Sequence, residues 1–157
     1  MKKVFAVLLL VVLLFAGCQV KTYNPEIGDF EQSAAVTVRD NSYICDISRI
    51  DNVVTVTATS SNALGLTISY DGNSAMFDYF GLEYDITSDK VDDTNLAKAI
   101  YDAFEVITTT TDNASKTADG FRYDGKTDLG NFTILQYDDY SFKSIEFKEA
   151  NIKVVFD

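Results

Sequence analysis

Apolar and polar residues alternate at a period of two along much of the chain. The clearest run is Leu66 to Tyr70, in which every second residue is apolar. Such alternation is typical of a β-strand with one buried face. Two similar runs follow, 74–79 and 82–86, after the pairs Asp71-Gly72 and Phe80-Gly81. An Asp-Gly pair between strand-like runs predicts a type I′ hairpin. We therefore expect a meander here, at the centre of an antiparallel sheet.

Shorter apolar runs on both sides of this meander predict more strands, separated by turn residues such as Asp124-Gly125 and Asp138-Asp139. Many of these runs are rich in β-branched residues, which favour a pleated surface. The polar segment 112–120 is expected to be a loop. The further predicted strands are 34–38, 42–50, 53–59, 121–125, 131–137, 142–148 and 152–156.

One segment has a helical period instead. Leu96, Ile100, Phe104 and Ile107 are spaced by four, four and three residues, with alanines between them. This spacing predicts a helix over 94–107 with one apolar stripe. We expect its N-cap among Asp92, Asp93 and Thr94, and its end in the run of threonines 108–111. Strands, one helix and strands again indicate the α+β class: an antiparallel sheet with one main α-helix on one face.

The central strands are expected to be apolar on both faces. Met76 and Phe80 are assigned to one side, and Ala75, Phe77 and Tyr79 to the other. The helix covers one face. The second face then needs another cover, which could be sheet curvature, a neighbouring protein or a ligand.

The N-terminus predicts export and lipid attachment. Two lysines precede the apolar run Val4 to Phe15, which is shorter than the roughly 20 residues of a membrane span and fits a signal peptide. The sequence Leu14-Phe15-Ala16-Gly17-Cys18 resembles the lipobox of bacterial lipoproteins, in which the cysteine is acylated. The alternative is an ordinary signal peptide with an incidental cysteine.

This interpretation divides the chain into a signal peptide (1–17), a lipidated Cys18 with a short tether (18–29), and one domain (30–157). The protein is expected at the extracytoplasmic face of the cell membrane, which acyl chains on Cys18 would hold. The whole chain has a net charge of −11, and loss of Lys2 and Lys3 leaves −11 − 2 = −13. Such a surface repels phosphate backbones, so nucleic acid is not expected as a partner.

The residue types present argue against familiar catalysis. The sequence has no histidine, which excludes Ser-His-Asp and Cys-His chemistry and disfavours zinc. No phosphate-binding glycine loop or EF-hand spacing occurs, so no cofactor or metal is expected. Cys45 lies in a strand pattern and is expected to be a buried apolar residue, with a reactive thiol as the alternative. Asp89, Asp92 and Asp93 are read as capping and turn residues.

The domain resembles the periplasmic lipoprotein-carrier superfamily, and more closely small lipoproteins of clostridial Gram-positive bacteria. The likeness spans roughly 30–156 and rests on hydrophobic pattern and turn placement. It implies a curved antiparallel sheet, an incomplete barrel, and an apolar cavity between sheet and helix that can hold acyl chains. The segments that carry it are 64–72, 76–82, 95–106, 120–125 and 130–133.

Three functions remain open at this stage. The first is binding of a hydrophobic ligand, a lipid or acyl chain, between sheet and helix, with tyrosines 70, 79 and 84 at the rim. The second is an envelope scaffold or protein-interaction domain with a fully packed core. The third, an enzyme using paired carboxylates, is the least favoured. The predicted ligand-binding residues are Leu66, Ile68, Met76, Phe77, Leu82, Ile100 and Phe104.

Overall fold

A computed structural model describes residues 27–110 and 114–157. Among these residues, eleven strands form a single open antiparallel sheet with one α-helix packed against it. The α+β fold with a curved sheet is therefore confirmed. The strands are β1 Phe30–Val38, β2 Asn41–Ile50, β3 Val53–Ala58, β4 Leu66–Tyr70, β5 Ser74–Tyr79, β6 Leu82–Thr87, β7 Ala114–Lys116, β8 Gly120–Thr127, β9 Gly130–Tyr137, β10 Phe142–Phe147 and β11 Ile152–Phe156; the helix is α1 Leu96–Thr109.

The sheet consists of two meanders joined along one pair of strands. Its order is β6-β5-β4-β3-β2-β1-β11-β10-β9-β8-β7, and β1 pairs with β11 in the register Val36 opposite Val154. The chain thus leaves the first meander at one edge, β6, and enters the second at the other edge, β7. The helix lies on this connection between the two edges.

Contacts of the helix show that the sheet curls round it. The Tyr101 ring packs edge-on against Tyr70 of β4 at 5.2 Å between centroids. The Phe104 ring lies 5.2 Å from that of Phe142 on β10. Seven strand positions separate β4 from β8, which is about 34 Å in a flat sheet. Because α1 packs against both of these strands, the sheet must be strongly bent.

The core fills the inside of this curve. Ala97, Ala99, Ile100, Ala103, Phe104 and Ile107 are the buried residues of α1, which confirms the predicted apolar stripe. An aromatic cluster of Phe30, Phe104, Phe142 and Phe156 joins the helix to both meanders, with ring centroids 4.7–6.1 Å apart. Edge-on and tilted pairs of this kind add stability beyond the area they bury.

The start of the helix differs from the prediction. The N-cap is Asn95, whose side-chain oxygen accepts a hydrogen bond from the Lys98 N–H at 3.1 Å, and not one of the three preceding residues. Asp92 instead accepts from the backbone and hydroxyl of Thr94. The helix ends within the predicted threonine run, where the Thr109 hydroxyl donates to the carbonyl of Glu105 at 2.7 Å and competes with further helical hydrogen bonding.

The first turn of the central meander differs in type from the prediction. Only Gly72, and not Asp71, has positive φ, at +91°, so the central pair is Gly72-Asn73, typical of a type II′ turn. The Asp71 carboxylate accepts hydrogen bonds from the backbone N–H groups of Asn73 and Ser74, at 2.8 and 2.7 Å, and so holds the turn. Phe80-Gly81 is the pair in which both residues have positive φ.

Two further predictions, both in the second meander, are wrong. Asp124-Gly125 is not a turn, because β8 continues to Thr127 and the loop is formed by residues 128–129. The predicted loop 112–120 contains the short strand β7, whose sequence Ala-Ser-Lys has no apolar alternation to reveal it. The predicted loop at Asp138-Asp139 does connect β9 to β10.

Candidate functional site

The helix-side face of β4, β5 and β6 forms two apolar rows across the strands. One row joins Ile68, Phe77 and Tyr84, and the next joins Leu66, Tyr79 and Leu82. Residues opposite each other in antiparallel strands lie close enough for their side chains to contact. These rows continue the buried face of β3, on which Val56 lies opposite Ile68.

This face is exposed towards the β5–β6 turn. Leu82 is 75% exposed, Phe80 74% and Tyr84 67%. Tyr79 and Leu64 are also exposed. Together these five residues present an apolar area of roughly 500 Å², as large as the largest patch on a typical monomer. We refer to Leu64, Tyr79, Phe80, Leu82 and Tyr84 as the edge surface.

The incomplete cover has a direct cause. The helix is 14 residues long, about 21 Å, and meets this part of the sheet near the β4–β5 turn. There Tyr70 is buried against Tyr101, and a Cβ on Gly72 would lie 2.5 Å from the Tyr101 hydroxyl. The β5–β6 turn is at the opposite end of the same strands. The edge surface is therefore the part of the inner face that the helix does not reach.

The turn that carries Phe80 holds this residue in a left-handed backbone conformation. Its φ is +53°, which costs an L-residue about 1–2 kcal/mol. The Phe80 ring packs edge-on against that of Tyr79 at 4.7 Å and covers the backbone of Gly65. The Asp78 carboxylate accepts the Gly81 N–H at 2.8 Å and helps to hold the turn. Tyr140 in the β9–β10 loop also combines a positive φ, +68°, with an exposed ring, so this conformation alone does not identify a binding surface.

Four of the seven predicted ligand-binding residues come together on this face. Leu66, Ile68 and Phe77 are half-buried beside the edge surface, and Leu82 belongs to it. Ile100 and Phe104 are fully buried in the core and have no exposed area to offer a ligand. Met76 lies opposite Ser69 and Asp85, on the other face of the sheet.

The expectation of apolar central strands on both faces is wrong. Phe80 belongs to the turn and not to the strand, so Met76 is the large apolar residue left on the outer face of β5. Apart from Val53 at the start of β3, the rest of that face on β3–β6 is polar: the hydroxyls of Thr55 and Ser69 lie 2.9 Å apart, and those of Thr57 and Thr67 3.1 Å apart. The outer face can therefore meet water and needs no second cover.

Of the three tyrosines predicted at the rim of the ligand site, two are exposed and one is buried. Tyr79 and Tyr84 are exposed on the edge surface. Tyr70 is 3% exposed, and its hydroxyl donates to the Gly72 carbonyl at 3.2 Å, so it belongs to the core. Sequence reasoning did not single out Phe80 or Leu64; the signal for Phe80 was an aromatic residue placed directly before glycine in a predicted turn.

The chain segment that carries the edge surface contains acidic residues and no basic ones. Between Arg49 and Lys90 the chain contains no lysine or arginine. Glu83 and Asp85 project from the outer face of β6 and are exposed, and none of the salt bridges among the described residues includes either of them. The acidic residues of 50–89 are Asp51, Asp71, Asp78, Glu83, Asp85 and Asp89.

Recesses elsewhere do not match the predicted cavity. Four recesses on the described surface have volumes of 770, 530, 480 and 90 Å³, and none is lined by any of the seven predicted residues. The largest lies at the start of the helix, beside Arg39 and Glu149. The Glu149 carboxylate accepts two hydrogen bonds from Asn131, one from its backbone N–H and one from its side-chain amide. Both carboxylate oxygens therefore stabilise the β8–β9 turn.

The described residues contain no group of three or more acidic, histidine or cysteine side chains that could hold a metal ion. Cys45 is buried, as expected, and faces the core. Burial raises the pKa of its thiol, and the neighbouring Asp46 carboxylate raises it further. Such a thiol is a poor nucleophile at neutral pH.

The N-terminal predictions lie outside the described residues. These include the signal peptide 1–17, Cys18 and the tether up to residue 26. Within 27–110 and 114–157, no helix has the length and apolar character needed to cross a bilayer.

No protein-family model matches the chain. Comparison with curated proteins also finds no significant match.

Proposed function

We propose that this chain is a non-catalytic binding module that docks a protein partner in the cell envelope through the edge surface. The supporting observation is the exposure of Phe80, Leu82 and Tyr84 beside a densely packed core. Aromatic side chains of this kind provide much of the binding energy at protein interfaces, and they lose little conformational entropy on binding. An open surface suits a protein partner better than an acyl chain, which binds best in an enclosed cavity.

We further propose that Cys18 carries the lipid that holds the module outside the cytoplasm. The support is the sequence alone: a basic start, a short apolar run and a cysteine after two small residues. Labelled palmitate should be incorporated into the full chain and not into its Cys18→Ser variant. A full chain that takes up no label would overturn the anchor without affecting the argument for the edge surface.

Site-specific photo-cross-linking in the producing cell tests the docking proposal. A photoreactive phenylalanine analogue at Phe80 should give one defined cross-linked protein. The same analogue at Tyr140, an exposed residue of the β9–β10 loop, is the matched control and should not give that product. Leu82→Gln combined with Tyr84→Gln should abolish the product while leaving circular dichroism unchanged, since both side chains are largely exposed. Equal cross-linking at the two positions would refute the proposal.

A bound lipid is a second candidate, favoured by the convergence of Leu66, Ile68, Phe77 and Leu82 on one face. Organic extraction of the purified full chain, followed by mass spectrometry, separates the two proposals. A stoichiometric lipid that disappears in the Leu82→Gln and Tyr84→Gln variant would support the ligand. Extracted lipid that is equal in both chains would count against it.

A further inference from the structure

We propose that the partner binds as an extended, cationic strand that adds to the free edge of β6. This inference depends on the docking proposal above and specifies its chemistry. In the described part of the sheet β6 pairs with β5 alone, so its other side presents unpaired backbone groups. An exposed sheet edge of this kind is a template on which another extended chain can pair.

The turn geometry shows which backbone groups are available. Tyr79 and Leu82 flank the two-residue turn and form a hydrogen-bonded pair in such a hairpin. Hydrogen-bonded and non-bonded pairs alternate along an antiparallel ladder. Leu82 and Tyr84 therefore direct their backbone groups at β5, whereas Glu83 and Asp85 direct theirs at the open edge.

The side chains of β6 define what an added strand should contain. Leu82 and Tyr84 lie on the apolar inner face, and Glu83 and Asp85 lie on the outer face. An added strand keeps the same alternation, because neighbouring side chains in a sheet share a face. Apolar residues would extend the edge surface, and lysine or arginine would lie opposite Glu83 and Asp85. No cation of the local chain, from residue 50 to residue 89, competes for these carboxylates.

A second copy of the chain fits this edge poorly. Pairing of β6 with β6 in antiparallel register would bring the acidic outer residues of one copy opposite those of the other. Like charges directly opposite destabilise a strand pair, and charged residues on an edge strand oppose self-association. An anionic membrane surface is disfavoured by the same carboxylates.

Peptide binding to the full chain tests the proposal, with the chain held in phosphatidylcholine nanodiscs if it partitions with membranes. The probe is fluorescent Lys-Val-Lys-Tyr-Lys-Val-Lys, measured by anisotropy. A peptide of the same composition in which lysines and apolar residues do not alternate should bind at least tenfold more weakly. A peptide in which every lysine is replaced by glutamate should also bind at least tenfold more weakly. Methylation of the backbone nitrogens that face β6 should remove binding, whereas methylation of the alternate nitrogens should not. Equal loss from both methylated peptides would exclude strand addition.

Charge reversal provides the matched pair of variants. Glu83→Lys with Asp85→Lys should reverse the preference, so that the glutamate peptide binds better than the lysine peptide. Asp40→Lys with Asp128→Lys makes the same change of net charge at two other exposed turn positions and should leave the preference unchanged. If both double variants weaken lysine-peptide binding equally, attraction is merely non-specific and the proposal fails.

The remaining outcomes separate this inference from the docking proposal. Absence of peptide binding together with specific cross-linking at Phe80 would overturn strand addition and leave docking intact. Absence of both would overturn both proposals. Sedimentation that shows a dimer dependent on Leu82 and Tyr84 would assign the edge to a second copy. Binding to lipid vesicles that depends on the same residues would assign it to lipid, and either result would refute the cationic strand.

Discussion

Replacing Gly72 by alanine tests the contact that seats the helix on the first meander. The added Cβ would lie 2.5 Å from the Tyr101 hydroxyl oxygen and 2.9 Å from the ring carbon that bears it. The residue also has a φ of +91°, which an L-residue adopts at a cost of about 1–2 kcal/mol. The variant therefore combines backbone strain with displacement of a helix side chain.

The displacement has a cost of its own. Tyr101 accepts a hydrogen bond from Asn52 at 3.1 Å, worth about 1 kcal/mol, and its edge-on contact with Tyr70 is worth about 0.5–1.5 kcal/mol. Loss of both, added to the strain, predicts that Gly72→Ala lowers the free energy of unfolding by about 3–4 kcal/mol. Urea denaturation followed by circular dichroism measures this change.

Gly81 provides the control, since it lies in the next turn with a φ of +81° and has no atom within 4 Å of its added Cβ. Gly81→Ala should cost only the backbone strain, about 1–2 kcal/mol. In a double-mutant cycle, Tyr101→Ala should remove most of the excess cost of Gly72→Ala. Equal destabilisation by the two glycine variants would refute the assignment of the helix to this end of the strands, and with it our explanation of the edge surface.

Three further predictions concern buried and paired groups. Burial lowers the pKa of Lys98, but its hydrogen bonds to Asp102 and Asp93 outweigh burial and raise this pKa above the ordinary value. Lys98→Met should therefore cost about 1 kcal/mol near neutral pH, and urea titrations should show the difference shrinking only above the ordinary lysine pKa of about 10.4. Tyr123→Phe removes the donor to the buried Gln136 side chain and should cost about 1–2 kcal/mol, whereas Tyr84→Phe, at an exposed hydroxyl, should cost nothing measurable. In a Cys18→Ser background, Cys45 should react with a thiol reagent at pH 8 more than a hundredfold faster in urea than in the native chain, and equal rates would contradict its burial.

Local periodicity was sufficient for most of the secondary structure. The run from Leu66 to Tyr70 was predicted with the bounds that the structure shows, because its alternation leaves one register for burial. The stripe of Ile100, Phe104 and Ile107 identified the helix, because its spacing of three and four residues places all three side chains on one buried face. β7 was missed because Ser115 and Lys116 are exposed at an edge, where no buried face imposes a pattern.

The candidate surface was less predictable, since exposure depends on where the helix lies across the sheet. Phe77 and Leu82, two of the predicted ligand-binding residues, do share one face of the sheet, but alternation within a strand cannot show how far a helix extends along it. Phe80 was predicted to lie in a turn and was also counted on a face of the strand, and this second assignment suggested an apolar outer face that the structure does not have. Ile100 and Phe104 were predicted to line a cavity, but core packing buries both.

The position of the edge surface bears on what it can meet. Phe30, where the tether joins the sheet, pairs with Arg49 at the same end of the sheet as the Gly72 turn. The Phe80 turn is at the other end of β5, about 20 Å away along the strand. The start of β1 and the edge surface thus lie at opposite ends of the strands, and the proposed anchor at Cys18 precedes β1 in the chain. This arrangement allows the surface to point away from the bilayer that holds the chain, where an extended polypeptide can reach it more readily than the lipid of that bilayer.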